Sequence, residues 1–520
     1  MRKASLLGAT LCCYLVGAPP RVADAATTTP TARAVHHDVS PSLRNIPPPP
    51  TAKGVVHREH PVKRLPPLPT TKGPKRPDTS LQTRASRSLS LALKTTFPGI
   101  GNGTSHNGTI YTVSSDPPDT NGAVGTTQYV EWVNTAFAVF DKNTGNRTYG
   151  PVDGSILWHG FGGSCEKYND GDPIVQYDKS ANRWVMTQFA VSTKPYSQCI
   201  AVSRTPDALG PYARYEFQFS DMNDYPKFGV WPDAYYASFN MFKNGKTIIG
   251  GKACAFERSM MLLGASARMK CFDTPESGLL PADVDGRTEP PPGAPEVFMN
   301  FGVDRLNEWR FHVDWMDPSR STFTGPISIP VSPFQEACES CIAQPGTDQT
   351  LDTLGDRLMY RLAFRRFGSH DSLFVNHAVQ APSNSVAVRW YEVRFPFTQP
   401  TLAQQGTFAP DAVARWIGSM ATDRVGNVLL GYSASGKSVY PSIRFTGRSA
   451  LDPPGILAAE SILVPGAGSQ TNPSRWGDYS SVTVDPTDDC TFWFTTQYLA
   501  ANGEYNWQTR IARVRYANCK

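Results

Sequence analysis

Short apolar runs of strand length recur along residues 100–516, most of them opened by polar, Asp- or Gly-bearing positions. They read QYVEWVNT (128–135), DPIVQYD (172–178), PDAYYASFN (232–240), PEVFMNFG (295–302), DRLMYRLAF (356–364), GNVLLGYSAS (426–435) and DDCTFWFTTQY (488–498). β-Branched and aromatic residues crowd these runs, and turn residues bound them, which predicts strands. No helix-length amphipathic run intervenes. Three runs follow a shared lead-in, seen in DYPKFGVWPDAYY (224–236), ARWIGSMATDRVGNVLL (414–430) and SRWGDYSSVTVDPTDDCTFWF (474–494). Later runs also resemble one another: CIAVSRT (199–205), EWRFHVDWMDP (308–318), VAVRWYEVRF (386–395) and RIARVRY (510–516).

The repeats therefore begin near residues 120, 170, 228, 295, 353, 415 and 476, and each has room for four short strands. Self-similarity at this spacing predicts an all-β fold, a β-propeller of seven four-stranded blades over residues 96–520. A count of six or eight stays open, because 254–295 does not parse. The alternative is a two-sheet sandwich, which would not need seven similar units. A propeller must join its first and last blades or leave an edge unpaired. The closing hairpins fall between Cys490 and Cys519.

Composition agrees with a turn-rich globular β protein. Hydrophobic residues make up 40% of the 520 and charged residues only 18%, with 42 Gly and 45 Pro. The ends of the chain differ from its body. Residues 1–25 carry Arg2 and Lys3, an apolar run to Ala18 and an Ala23-Asp24-Ala25 cleavage signal, which predicts a secretory signal peptide. Residues 26–95 are rich in Pro and Thr and hold 12 Lys/Arg against 3 Asp/Glu. Such a segment is expected to be a disordered basic linker, because it buries too little apolar surface to offset its ordering entropy. The chain as a whole is +5, so the body that follows is acidic. An acidic body without a basic stripe argues against nucleic acid as a partner. No apolar run reaches membrane-spanning length, so a secreted monomer, extracellular or periplasmic, is expected.

Eight cysteines follow the signal: Cys165, Cys199, Cys254, Cys271, Cys338, Cys341, Cys490 and Cys519. An even count in an exported chain predicts disulfides; the spacing does not fix their connectivity, and nearest-neighbour pairing is the arrangement that keeps each bridge inside one local β unit. Cys338-x-x-Cys341 lies in a loop-like stretch without βαβ context, and no CxxC pair recurs with zinc spacing.

The body resembles a family of bacterial exported β-propeller proteins. The resemblance rests on DPPDTNGAVG (116–125), NDGDPIVQYD (169–178), NDYPKFGVWPDAYY (223–236), FHVDW (311–315), LGDRLMYRLA (354–363), VRWYE (388–392) and RWGDYSS (475–481). It spans about 400 residues and implies the propeller fold, but brings no established reaction. A more distant likeness to sialidase-type propellers concerns architecture alone, since no S-x-D-x-G-x-T-W box is present.

In a propeller the lead-in segments converge on one mouth of the axis. Those segments supply Asp119, Asn121, Asp170, Asp172, Asp224, Tyr225, Lys227, Trp231, Asp233, Arg357, Arg415, Trp416, Arg475, Trp476 and Asp478. Carboxylates, cations and indoles together suit a carbohydrate or glycoprotein partner, because aromatic faces stack on sugar rings and Asp/Arg pairs bind hydroxyls. Glycoside hydrolysis needs two carboxylates, one held protonated, and Asp172, Asp233 and Asp478 are the candidates. Uronate elimination needs a base and a carboxylate-neutralising group. His377 and Tyr360, with Arg361, form the tightest such set. The expectation is a secreted glycan-degrading enzyme, with a non-catalytic glycan- or protein-binding surface propeller as the alternative. Each Asp also has a plain structural reading, as a residue closing its own turn. Asp178 in YDKSANRW is expected to do only that. No cofactor is expected. Asp283-Val-Asp285-Gly286 is a fragment of a calcium-loop pattern that lacks the closing Glu, and a plain turn is the better reading.

Overall fold

The computed structural model describes residues 26–47, 57–69, 76–85, 91–106, 109–472 and 475–520. The signal-peptide expectation for residues 1–25 lies outside them. Four-stranded antiparallel meanders succeed one another along the chain. The first runs Asn121–Val124, Gln128–Val133, Ala136–Asp141, Arg147–Asp153, and the second Ile174–Asp178, Arg183–Ala190, Tyr196–Ser203, Tyr212–Phe219. The third runs Met222–Val230, Tyr235–Lys243, Thr247–Phe256, Arg268–Thr274, and the fourth Leu280–Asp285, Glu296–Gly302, Arg305–His312, Thr322–Pro330. Met359–Arg366, Asp371–Ala381, Ser385–Arg394, Thr401–Phe408 form the fifth, and Ala414–Thr422, Val428–Gly436, Val439–Arg448, Ser461–Val464 the sixth. In the seventh, Ser481–Val484, Thr491–Leu499 and Trp507–Tyr516 are completed by Leu91–Gly101 from the other end of the body.

The first strand of each meander packs against the first strand of the next, and Ser481–Val484 returns to Asn121–Val124. The sheets are thereby arranged in a closed cycle around those seven strands. The last sheet borrows its outermost strand from residues 91–101, which joins the two ends of the body by main-chain hydrogen bonds. Because each sheet is covered on both faces by its neighbours, its strands are apolar almost continuously rather than alternately. Trp132, Trp158 and Trp184 fill the space between the first two sheets, and Phe492, Phe494 and Tyr516 that between the last two.

The recurring runs seen in the sequence occupy two different places. DPIVQYD and DRLMYRLAF hold innermost strands, whereas QYVEWVNT, PDAYYASFN, PEVFMNFG, GNVLLGYSAS and DDCTFWFTTQY hold second strands. The stretch that did not parse, 254–295, contains the helix Arg258–Leu263, an outer strand and then an innermost strand, Leu280–Asp285. The plain turn expected at Asp283 and Asp285 is thus corrected: both belong to an innermost strand paired in parallel with residues 362–365.

The expectation of a disordered linker over 26–95 is also corrected for its described parts. Thr27–Thr28 and Ala32–Arg33 pair with the outer strand Arg268–Thr274, His36–Val39 with Tyr212–Phe219, and Leu81–Gln82 with Thr401–Phe408. Outer strands present unpaired N–H and C=O groups, and these segments satisfy them. Ion pairs from Asp38 to Arg214 and from Asp78 to Arg389 hold the strap in place. Composition alone missed this, because the partner groups lie on distant sheet edges.

Four disulfides join nearest-neighbour cysteines, Cys165–Cys199, Cys254–Cys271, Cys338–Cys341 and Cys490–Cys519, as expected. No helix among the described residues is long and apolar enough to cross a membrane.

Candidate functional site

Three consecutive innermost strands carry residues in the left-handed region, Asp119 (φ 44°) and Asp172 (φ 47°) just before theirs and Tyr225 (φ 54°) at a bulge near the start of its own. Such conformations cost about 1–3 kcal/mol each and gather where function requires them. Here they deliver side chains to one end of the axis, around a cavity of 160 Å³. Asp119, Asp170, Asp172, Asp224, Asp478, Arg357 and Arg475 line it. All seven come from the lead-in segments singled out above as candidates.

Arg475 organises one wall. Its guanidinium contacts Asp352, donates to Asp478 Oδ1 at 2.7 Å and to the His60 carbonyl at 2.6 Å. Arg357 donates to Asp356 Oδ1 at 2.8 Å and lies 4.5 Å from the Tyr225 ring. Beneath the cavity, the fully buried Lys227 ammonium lies 3.5 Å from the Tyr225 ring centroid and 4.0 Å from that of Tyr479. Among the described residues its only hydrogen bond runs to the carbonyl of Pro226, at 3.0 Å. Burial draws its pKa down to about 8, against the upward pull of Asp172, Asp478 and Asp119.

Asp172 differs from its neighbours. It is 7% exposed, and its carboxyl accepts no hydrogen bond from any described residue. Burial, then the nearby Asp224 carboxylate, push its pKa up to about 7, with Lys227 opposing. Asp119 is pushed well above the usual range by burial, then by Asp478 and Asp172. Asp170 is tied down instead, accepting from the backbone of Val191 (2.7 Å) and Ser192 (2.8 Å).

The remaining predicted residues lie elsewhere. Asn121 accepts from Val175 N–H at 2.7 Å and joins the first two sheets. Trp476 donates to Ser433 Oγ at 2.9 Å and packs on Trp416 inside the wall. Arg415 is held by Glu460 at 2.8 Å and Asp411 at 2.9 Å. Asp233 is remote from the cavity. Burial lifts its pKa to about 6 beside Tyr236. The grouping of His377 with Tyr360 and Arg361 is corrected. His377 is buried against Tyr391 Oη at 2.9 Å, and its pKa falls to about 3 through burial and Arg389. Tyr360 is inside the axis, accepting from Gln176 at 3.3 Å. Arg361 lies deeper, clamped by Asp283 (2.6 Å) and Asp285 (3.0 Å), and Lys179 also reaches Asp285 at 2.9 Å. Asp283 and Asp285 are therefore both paired with protein cations. Successive residues of a strand face opposite sides, and the pairing of Met359–Arg366 with Asp371–Ala381 is irregular between Met359 and Ala363, so closeness in sequence did not become closeness in space.

The axis opens at its far end into a larger cavity of 870 Å³, lined by Trp231, Asp178, Lys179 and Arg287. Asp178 and Lys179 are both paired there, Lys179 with Asp285 at 2.9 Å. Asp178 closes its turn onto Ala181 N–H (3.0 Å), as expected, and also binds Arg258 (2.6 Å) and Tyr235 (2.9 Å). The smaller mouth, with an unsatisfied carboxyl, is the better chemical candidate despite its size. Sequence reasoning missed Tyr479, Asp352 and the leader residues His60 and Lys63, which complete it; the RWGDYSS motif holds the first of these.

No family model matches the chain, and no curated protein matches it. Solved structures with a similar chain course include a protein of unknown function from Dyadobacter fermentans, 10% identical, covering 82% of this chain and 99% of that one, with a TM-score of 0.38. An exo-β-1,3-galactanase from Phanerochaete chrysosporium is 9% identical over 82% of this chain and 96% of that one, with a TM-score of 0.29. A PL25 ulvan lyase is 11% identical over 74% and 77%, with a TM-score of 0.27.

Proposed function

We propose that the chain is a seven-bladed β-propeller that degrades glycans outside the cytoplasm, with glycoside hydrolysis at the Asp172 mouth. The cyclic order of innermost strands and the strand borrowed by the last sheet support the propeller reading. Four disulfides support an oxidising compartment.

Asp172 carries the functional reading. A buried carboxyl with a pKa of about 7, free of hydrogen bonds and open to a polar cavity, is a carboxylic acid held ready to donate. In this scheme Asp172 gives its proton to the glycosidic oxygen as the C–O bond breaks. Asp478, paired with Arg475, takes a proton from the water whose oxygen bonds to the anomeric carbon. Arg357 serves a hydroxyl of the sugar, and Lys227, buried beneath the cavity, acts through its charge on Asp172. The alternative, a non-catalytic glycan- or protein-binding site, draws support from the grip of Arg475 on Asp478, which restrains a catalytic carboxylate.

The test is to incubate the secreted chain and its Asp172→Asn variant with a polysaccharide panel, following reducing ends and the absorbance of unsaturated uronates. Reducing ends released by the wild type and lost in the variant support hydrolysis. Binding without turnover moves the reading to the alternative, and uronate absorbance would overturn the assigned chemistry.

A further inference from the structure

Residues 57–69 of the leader lie across the mouth, on the groups that the hydrolase reading uses. Lys63 Nζ is 3.2 Å from Asp224 Oδ1, and Arg58 Nη1 is 3.4 Å from Asp170 Oδ1. The carbonyls of His60 and Lys63 accept from Arg475 Nε at 2.6 Å and Arg357 Nη2 at 2.8 Å. His60 N–H donates to the Asp116 carbonyl at 2.9 Å, and Leu65 N–H to Asp356 Oδ2 at 2.9 Å. Acids of the body thus meet cations of the strap, and guanidinium groups of the body meet its oxygens. A bound ligand would make the same two kinds of contact.

Charge points the same way. The body lines the cavity with Asp119, Asp170, Asp172, Asp224 and Asp478 against Arg357 and Arg475, with Lys227 beneath. Buried charge without a partner is costly, and the strap supplies the missing cations. It makes no hydrogen bond to the Asp172 carboxyl, 7% exposed in the same cavity, though Lys63 lies near enough for its charge to be felt there. The mouth therefore holds one acid that awaits a group and another, Asp224, whose group is lent by the leader.

We infer that the mouth recognises a ligand carrying a primary ammonium group, and that Arg58–Leu65 occupies it as an internal mimic which that ligand displaces. Resting on the glycan reading above, the inference names an amino sugar as the substrate class. The ammonium takes the place of Lys63 Nζ on Asp224, and sugar oxygens take the places of the strap carbonyls on Arg357 and Arg475.

The experiment is calorimetric titration of the full chain, of Arg58→Ala/Lys63→Ala and of Asp224→Asn, using glucosamine tetramer, N-acetylglucosamine tetramer and spermidine as probes. Arg58 and Lys63 are 49% and 28% exposed, so the double variant keeps the fold. Lys63→Gln alone repeats the test with less disturbance. Glucosamine tetramer is expected to bind at least about tenfold more tightly once the strap cations are gone, about 1.4 kcal/mol. Asp224→Asn should abolish that gain. Unchanged affinity in both strap variants, or no binding of any probe, overturns the inference. Equal binding of the acetylated tetramer overturns it too, but leaves the glycan reading standing. Binding of spermidine and of neither tetramer upholds ammonium recognition and overturns the glycan reading.

Discussion

The backbone N–H of Asp478 donates to Asp119 Oδ1 at 2.7 Å, so a side chain of the candidate site ties the last sheet to the first. Asp119 also accepts from Asn134 Nδ2 at 3.1 Å, with its backbone in the left-handed region. Asn tolerates that conformation and offers the same acceptor oxygen. Because burial already holds the Asp119 carboxyl well above the usual range, losing its charge costs little. Asp119→Asn should match the wild type in urea unfolding. Asp119→Ala should lose about 2–3 kcal/mol, as two buried donors are left unmatched. Equal stability of the two variants would remove Asp119 as the tie.

Arg361 anchors the axis below the mouth. It donates to Asp283 and Asp285 and to the Val482 carbonyl at 3.0 Å, which ties three sheets together. Burial works to raise the Asp285 pKa, but Arg361 and Lys179 overcome it and hold the group at about 2. The stability from that pairing is present above the ordinary carboxylate range and lost as pH falls through about 2. Arg361→Met strands two buried carboxylates and should cost about 3–5 kcal/mol. Since protein cations already fill the site, neither calcium nor EDTA should move Tm. A calcium-dependent rise in Tm would contradict this.

The β repeats, their approximate starts and the presence of disulfides were legible in the sequence, because strand patterning is local and an even cysteine count is compositional; the connectivity was not. The sequence also showed that Asp119, Asp172, Asp224, Lys227, Arg475 and Asp478 sit at corresponding places in their units, which is why they meet. Two things were not local. The ordering of the leader depends on free sheet edges and on Arg214 and Arg389, hundreds of residues away. His377 and Tyr360 lie in paired neighbouring strands of one sheet, yet one faces its flank and the other the axis. Residue type and spacing carry no record of which face a bulged strand presents.

Asp78 tests whether the leader is part of the fold. Its carboxylate accepts from Arg389 Nη1 at 2.9 Å and from Thr407 Oγ1 at 2.6 Å, and the Arg389 side chain is fully buried. Asp78→Ala leaves that guanidinium with only Gln405, Thr407 and the Ser332 carbonyl. The expected loss is on the order of 3 kcal/mol, with faster tryptic cleavage around residues 76–84. A free spacer would make the substitution silent in both assays.

Asp172 sets the pH behaviour of the mouth. Its folded pKa, about 7, lies above the ordinary carboxylate range, so the folded chain holds its proton more tightly than the unfolded chain does. The associated stability is complete below about pH 4 and is lost as pH rises through about 7. Asp172→Asn has no proton to lose. It should match the wild type at pH 4 and exceed it at pH 8, by on the order of 2–4 kcal/mol. The same variant should lose hydrolysis by at least about a hundredfold, since the proton donor is gone. In the wild type, activity should fall on the alkaline side with a midpoint near 7. Lys227→Met removes a cation that lowers this pKa, and should carry the alkaline limb upward. Paired unfolding curves at the two pH values decide the matter. An Asn variant no more stable than the wild type at pH 8 would mean that Asp172 is ionised at neutral pH, and the acid role assigned to it would fall with that result.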